Sequence, residues 1–307
     1  MIKVFGHQSP DTDATGSAII WAWYVSEKTG KEATAYVLGD LNKETQFMLS
    51  KFDVAAPALL ESVTEGDDVI IVDTNNPKEL FANINDTNII EIIDHHKLAG
   101  GLETAGPLTI TLRPLASTAS VMYDLIMQDG EIELPTHIAG IMLSCILSDT
   151  LQFRSPTTTP HDQDIAEKLG AQLGVDIQSY ADEMFAAKSD ISDFTGSGLV
   201  KMDSKKLEIN GMNLRISVIE TTNPSSVLDR KDEIIEAIEE IKAAESDVDE
   251  VLFFAVDILN EEATVFTYNE TVKGIVEKSF EVTVESDTEV LPGVVSRKKQ
   301  IIPNLKV

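Results

Sequence analysis

One cysteine, Cys145, occurs among the 307 residues, so no disulfide can close within the chain and a reducing compartment is expected. No basic segment followed by an apolar run opens the chain, which argues against secretion. The longest near-apolar stretch, around residues 138–147, is too short to span a bilayer. Fixed-period repeats and low-complexity tracts are absent, and no aromatic-basic stretch suggests a surface for stacked bases. Positive charge is scarce: 24 Lys and Arg face 52 Asp and Glu, a net charge of −28. Such a field repels nucleic acid and anionic membranes while favouring solubility and cation recruitment. Together these features describe a cytoplasmic protein without nucleic-acid or membrane partners. An anionic substrate would need local positive charge, from metals or from clustered Lys and Arg.

What is present fits two domains with ordinary cores: 43% of the residues are hydrophobic. Residues 2–5, 34–38, 68–73 and 88–93 read as strands, with helices over 14–24 and 43–52 between them. Continuous apolar strands alternating with helices imply right-handed βαβ units and a doubly wound, mostly parallel sheet. Helices are expected over 117–127, 136–147, 166–173 and 177–188, and the loop 155–160 carries two prolines. Residues 189–198, with Gly196 and Gly198, suit a linker. Beyond it, 198–208 and 213–220 alternate like antiparallel strands around an Asn210-Gly211 turn. A helix over 230–245 and strands over 251–256 and 263–268 complete the expectation of a smaller α/β domain with a mixed sheet. The boundaries are 1–188, a linker at 189–197, and 198–307.

The chemistry gathers at strand ends, where open α/β sheets bind ligands. His7, Asp11 and Asp13 follow the first strand, Asp73 ends the third, and Asp94-His95-His96 ends the fourth. Asp149 follows an apolar helix. Taken singly, each has a plainer reading: Asp-x-Asp as a helix cap and its neighbour, Asp73 and Asp149 as turn chemistry. Their joint placement favours a metal centre. Carboxylates and imidazoles without thiolates suit Mn²⁺, Co²⁺ or Mg²⁺, and several carboxylates are costly to gather unless cations neutralise them. Two divalent ions about 3.5 to 4 Å apart would ionise a bridging water near neutral pH. Asp73, central and with two oxygens, is the natural bridge. Far along the chain, Ser296-Arg-Lys-Lys-Gln300 concentrates three cations, and Arg297 and Lys298 suit a phosphate clamp.

These residues together resemble the family II inorganic pyrophosphatases, the manganese-preferring branch of the DHH phosphoesterase superfamily. The carriers are Gly6-His-Gln-Ser-Pro-Asp-Thr-Asp13, Asp94-His95-His96 and Ser296-Arg-Lys-Lys-Gln300. Two positions depart from the family pattern. Ser9 stands for Asn, and Thr74-Asn75-Asn76 stands where many members have His-Asn-Glu. The resemblance implies a DHH domain, a DHHA2-type domain and an active site in the cleft between them. One metal would sit on His7, Asp11 and Asp73, and a second on Asp13, Asp73, His95 and Asp149. Mn²⁺ is preferred and Co²⁺ accepted, with further Mg²⁺ or Mn²⁺ arriving with substrate. His96, Lys205, Arg297 and Lys298 would bind pyrophosphate, Lys206 being the neighbouring rival for the Lys205 role. The implied reaction is hydrolysis to two orthophosphates by a metal-bridging hydroxide. Within it, His96 donates a proton to the leaving group, Asp149 orients the nucleophile and Lys298 neutralises charge. Asp94 is expected to orient a histidine rather than bind metal. A homodimer is implied as well. The rival enzymes are a DHH-type exopolyphosphatase and an oligonucleotide or cyclic-dinucleotide phosphodiesterase. The latter usually carry a Gly-Gly-Gly-His-type motif that is absent after Gly198.

Overall fold

The structure is a computed structural model and describes residues 1–130 and 133–307. Its chain divides into two compact units, Met1–Ala187 and Lys188–Val307.

The first unit is built on six strands: β1 (Ile2–Phe5), β2 (Ala33–Val37), β3 (Ala58–Leu59), β4 (Asp68–Val72), β5 (Asn88–Asp94) and β6 (Thr109–Leu112). Their order is β3-β2-β1-β4-β5-β6, and every pairing is parallel. Strands flanked by neighbours on both sides must be apolar throughout, which explains the uninterrupted Val-Ile-Ile-Val of β4. Helices α1 (Thr12–Thr29), α3 (Thr118–Asp129) and α4 (Thr136–Asp149) pack on one another, with α1 also against β1 and β2. Helix α2 (Lys43–Lys51) packs on α1 and α4, and α5 (Pro160–Leu173) on α4, while α6 (Ile177–Lys188) closes the order. A separate cluster holds Phe5, Val69, Ile71, Ile89 and Ile92 of the strands against Val63, Leu80 and Ile84 of the connecting segments. The chain runs outward from β1 in one direction and returns to continue from β4 in the other. The switch point, where such sheets leave a crevice, therefore lies between β1 and β4.

The second unit contains α7 (Gly196–Met202), β7 (Ser204–Ile209), β8 (Met212–Thr221), α8 (Pro224–Leu228), α9 (Lys231–Ala244), β9 (Glu250–Asp257), β10 (Glu262–Phe266), α10 (Glu270–Phe280) and β11 (Thr288–Pro292). The sheet order is β11-β10-β9-β8-β7, with only β8–β9 parallel, so it is mixed as expected. One face packs Leu214, Ile216, Leu252 and Phe254 against α10 and the C-terminal Ile301 and Leu305. The other packs Val251, Phe253 and Phe266 against α7 and α9.

The strand expected over 198–208 begins only at Ser204, because 196–202 is helical. Thr195 caps that helix by accepting from the Gly198 amide. The adjacent Leu199 and Val200 enter the same cluster, which helical spacing permits and strand alternation does not. Among the described residues, no helix is long and apolar enough to cross a membrane.

Candidate metal centre

The residues past the carboxyl end of β1 are placed by close packing. A Cβ on Gly6 would stand 2.8 Å from the Ala14 Cβ and 3.2 Å from the Val72 carbonyl oxygen, so only glycine lets β1, β4 and α1 converge there. Asp11 serves both of its readings. Its Oδ1 caps α1 by accepting from the Ala14 amide at 2.9 Å, and its Oδ2 stands 3.8 Å from His7 Nε2. Asp13, in the first turn of α1, is fully buried and gripped by the N-terminus of α3. It accepts from Ser117 Oγ at 2.9 Å and from the Thr118 and Ala119 amides at 2.7 and 3.2 Å.

Asp73 follows β4 directly with φ +57, a left-handed backbone that costs a residue with a Cβ about 1 to 2 kcal/mol. Its amide is held by the Ile93 carbonyl at 2.9 Å, and its Oδ1 accepts from Thr118 Oγ1 at 2.8 Å. The two carboxylate oxygens face different imidazoles: Oδ2 lies 3.5 Å from His7 Nε2, and Oδ1 lies 3.5 Å from His95 Nε2. Asp149, the last residue of α4, brings Oδ2 to 3.8 Å from His95 Nε2. After it, Leu151, Gln152 and Phe153 all adopt positive φ, so the chain leaves the site through a left-handed turn.

Three ligand groups result, each with its donor atoms within 4.8 Å of one another: His7, Asp11 and Asp73; Asp73, His95 and His96; and Asp13, His95 and Asp149. Donor atoms about 2.1 Å from one ion stand about 3 Å apart when adjacent and about 4 Å when opposite. Separations of 3.5 to 3.8 Å are too long for hydrogen bonds and fall within that span. The electrostatics agree. Burial, then the charge of Asp13, pushes the Asp73 carboxyl well above its ordinary range against the pull of His7. Burial and the charges of Asp13, Asp73 and Asp11 do the same to Asp149. Burial opposes charge on His7, yet the flanking Asp11 and Asp73 raise it to about 10. Carboxylates that destabilise one another when bare are what divalent cations stabilise, so the donor set fits divalent ions.

The Asp94-His95-His96 segment divides by function. His95 Nδ1 lies 3.0 Å from the Leu115 carbonyl, which can only accept, so the proton sits on Nδ1 and Nε2 is free to ligate. Fully buried Asp94 accepts through Oδ1 from the His95 amide (2.8 Å), the His96 amide (3.0 Å) and His96 Nδ1 (2.9 Å). Those hydrogen bonds overcome the cost of burial and hold its carboxyl below the ordinary range. His96 in turn is raised to about 9, first by Asp94 and against burial. Its side chain is 54% exposed and lines a cavity of about 470 Å³ with His7, Ser9, Asn75, Lys78 and Lys97.

In the second unit, Ser296-Arg-Lys-Lys-Gln300 forms a compact bend, a single π-helical turn over Arg297–Ile301 capped by Ser296. Gln300 Oε1 accepts from the Val295 and Ser296 amides, both at 3.0 Å, and its Nε2 donates to the Gly293 carbonyl. Ile301, fully buried, anchors the bend in the core. Arg297 donates through Nη1 to the Asp203 carbonyl at 2.8 Å and pairs through Nη2 with Asp203 Oδ1 at 2.7 Å. Strand alternation separates the two candidate lysines. Lys206 points to the face where it binds Glu245 at 2.7 Å and Asp247 at 2.8 Å. Lys205, exposed, shares the other face with Leu207 and Ile209, whose cluster also takes Val294 and Val295 beside the bend. No ion pair to Lys205, Lys298 or Lys299 appears among the described residues. The contacts of Asn75, of Gln300 and of the Ser117–Thr118 cap escape sequence reasoning, because uncharged side chains do not announce their partners and some of those partners are distant in the chain.

Comparison with known proteins places the chain in a family. Residues 1–146 match the DHH family, N-terminal domain, and residues 182–307 match the DHHA2 domain. A Streptococcus mutans protein named as a probable manganese-dependent inorganic pyrophosphatase is 40% identical over 307 residues, covering 99% of this chain and 97% of that one. A Lactobacillus acidophilus protein of the same name is 38% identical, covering 98% and 96%. A solved Methanococcus jannaschii structure, assigned provisionally to the family II inorganic pyrophosphatases, superposes with a TM-score of 0.64 at 35% identity, covering 99% and 98%. An exopolyphosphatase-related protein from Bacteroides fragilis shares the fold at 15% identity and a TM-score of 0.50. From its opening Gly-His motif to its closing Ser-Arg-Lys-Lys-Gln bend, the chain belongs to the family II, manganese-dependent inorganic pyrophosphatases of the DHH superfamily.

Proposed function

We propose that this chain is a manganese-dependent inorganic pyrophosphatase that converts pyrophosphate and water into two orthophosphates. The observation that carries the reading is Asp73, whose two oxygens face His7 on one side and His95 on the other. That placement supports one ion on His7, Asp11 and Asp73, and a second on Asp13, Asp73, His95 and Asp149. When bound, the two ions supply Lewis acidity and a nucleophile ionised near neutral pH. Mn²⁺ is the preferred ion and Co²⁺ a substitute, with further Mg²⁺ or Mn²⁺ carried in by the substrate.

The chain's own residues bind, orient and move protons. His96 holds its Nδ1 proton against Asp94, so Nε2 is the atom presented to the cavity, where its proton passes to the departing phosphate. Asp149 orients the attacking oxygen. Arg297, Lys298 and Lys205 neutralise the charge spread over the phosphoryl oxygens. The reading assigns metal binding and the His96 contact to residues 1–188, and the Lys205, Arg297 and Lys298 contacts to 198–307, joined through 189–197. A cytoplasmic homodimer without nucleic-acid partners completes it.

The test is phosphate release after chelation, with Mn²⁺, Co²⁺, Mg²⁺ and Zn²⁺ added back singly and pyrophosphate, tripolyphosphate and a dinucleotide compared. Restoration by Mn²⁺ on pyrophosphate is expected, with Asp73→Ala losing more than about 100-fold. Faster turnover of tripolyphosphate or the dinucleotide would move the assignment to a rival enzyme.

A further inference from the structure

Asn75 lies two residues beyond Asp73 and is 5% exposed. Its amide is fully used. Nδ2 donates to Asp94 Oδ2 at 2.6 Å and to the Lys97 carbonyl at 3.1 Å, and Oδ1 accepts from the Ala99 amide at 2.6 Å. One side chain thus ties the segment after β4 to the last residue of β5 and to two points beyond it. The Asp94 contact is the consequential one. With Oδ2 taken by Asn75, the carboxylate cannot turn about its terminal bond, and Oδ1 stays where the two histidine amides and His96 Nδ1 meet it. No other hydrogen bond to the His96 ring occurs among the described residues, and that ring is half-exposed.

We propose that Asn75 is a positioning residue which, through Asp94, fixes the direction in which His96 Nε2 enters the cavity. The side chain is specific for this task. Aspartate would lose both donors and set a second carboxylate against Asp94 at hydrogen-bond distance. Serine could not supply two donors and an acceptor at once. Leucine would leave the buried Oδ2 of Asp94 without its donor, at about 1 to 3 kcal/mol, and would release the Lys97 carbonyl and the Ala99 amide from the side chain that holds them. The inference rests on the reading of His96 as the substrate contact, and a role confined to knitting the loop together predicts different behaviour.

Two measurements on the full chain separate these roles. In a double-mutant cycle with Mn²⁺ present, Asn75→Ala should lower kcat/KM for pyrophosphate by about 10- to 100-fold. It should cost nothing further in a His96→Ala background, yet cost its full amount in a Lys298→Ala background. An equal loss in all three backgrounds overturns the proposal. If Asn75→Ala does not fold, Asn75→Ser enters the same cycle. The second measurement is independent of turnover. In the metal-free chain the His96 Nδ1 proton should give a protected NMR signal that Asn75→Ala or Asn75→Ser loses, while the His95 Nδ1 proton, held by the Leu115 carbonyl, survives. Loss of both signals, or of neither, overturns the inference. Failure of the wild type to hydrolyse pyrophosphate would refute only the functional reading, because the NMR comparison still decides the role of Asn75.

Discussion

Lys205 and Lys206 show how far one position along a strand separates two roles. Lys206 and Arg215 hydrogen-bond the Glu245 carboxyl and hold it down to about 2, so this cluster stabilises the fold. Lys205, on the opposite face, makes no ion pair among the described residues, and the proposed function gives it a phosphate to neutralise. Lys205→Ala is expected to lower kcat/KM about 10- to 100-fold with little change in melting temperature. Lys206→Ala should leave turnover nearly intact and lower the melting temperature at pH 7. The sign of its pH dependence follows from Glu245. A carboxyl depressed in the fold contributes stability above about pH 4.5, and that contribution fades as pH falls toward about 2. Thermal melts of wild type and Lys206→Ala should therefore converge across that window. The two-residue turn keeps the roles apart. Asn210 and Gly211, at φ +50 and +86, adopt the left-handed pair that matches hairpin twist, and a one-residue slip of β7 would exchange the two lysines between faces.

At the level of elements, the site depends on how tightly α1 crosses α4. A Cβ on Gly16 would meet Cys145 Sγ at 2.2 Å and Ile141 Cγ2 at 2.9 Å, so the helices touch backbone to side chain one turn past Asp13 and one turn before Asp149. Gly16→Ala must push them apart, with an expected loss of about 1 to 3 kcal/mol in stability. Mn²⁺ affinity, followed by equilibrium dialysis, should fall by about tenfold or more because Asp13 and Asp149 separate. Unchanged affinity would show that the ligands adjust independently of the helix crossing.

The same elements show what the sequence made legible. Strand β4 was readable because burial on both faces demands a continuous apolar run, β1 and β5 because a single charged residue breaks each of theirs, and the candidate metal-ligating carboxylates because they follow those runs abruptly. Edge strands β3 and β6 were not, since two to four residues carry no period. Helix α7 was misread because Gly196 and Gly198 mimic a linker, and its cap, Thr195, shows itself only through the Gly198 contact. The cradle of Asp13 is hidden for another reason: Ser117 and Thr118 lie more than 100 residues away, and only the folded sheet brings them together.

For the molecule as a whole, 52 acidic against 24 basic residues means that folding compacts a strongly repelling chain. Screening shortens that repulsion to about 10 Å at 0.1 M salt and about 3 Å at 1 M. The melting temperature of the metal-free protein is therefore expected to rise by several degrees between about 0.02 and 0.5 M NaCl. A flat profile would mean that local ion pairs already balance the field. Divalent ions add to this general screening by neutralising the most crowded carboxylates, so the Mn²⁺-loaded protein should respond less to salt. The whole chain also carries a clock. Its one thiol, Cys145, is sealed at the α1–α4 crossing and held protonated by burial and the carboxylates around it. A thiol reagent can reach it only when that crossing opens. A single labelling rate therefore times how often the molecule breathes beside its candidate metal centre, with no other cysteine to confuse the reading.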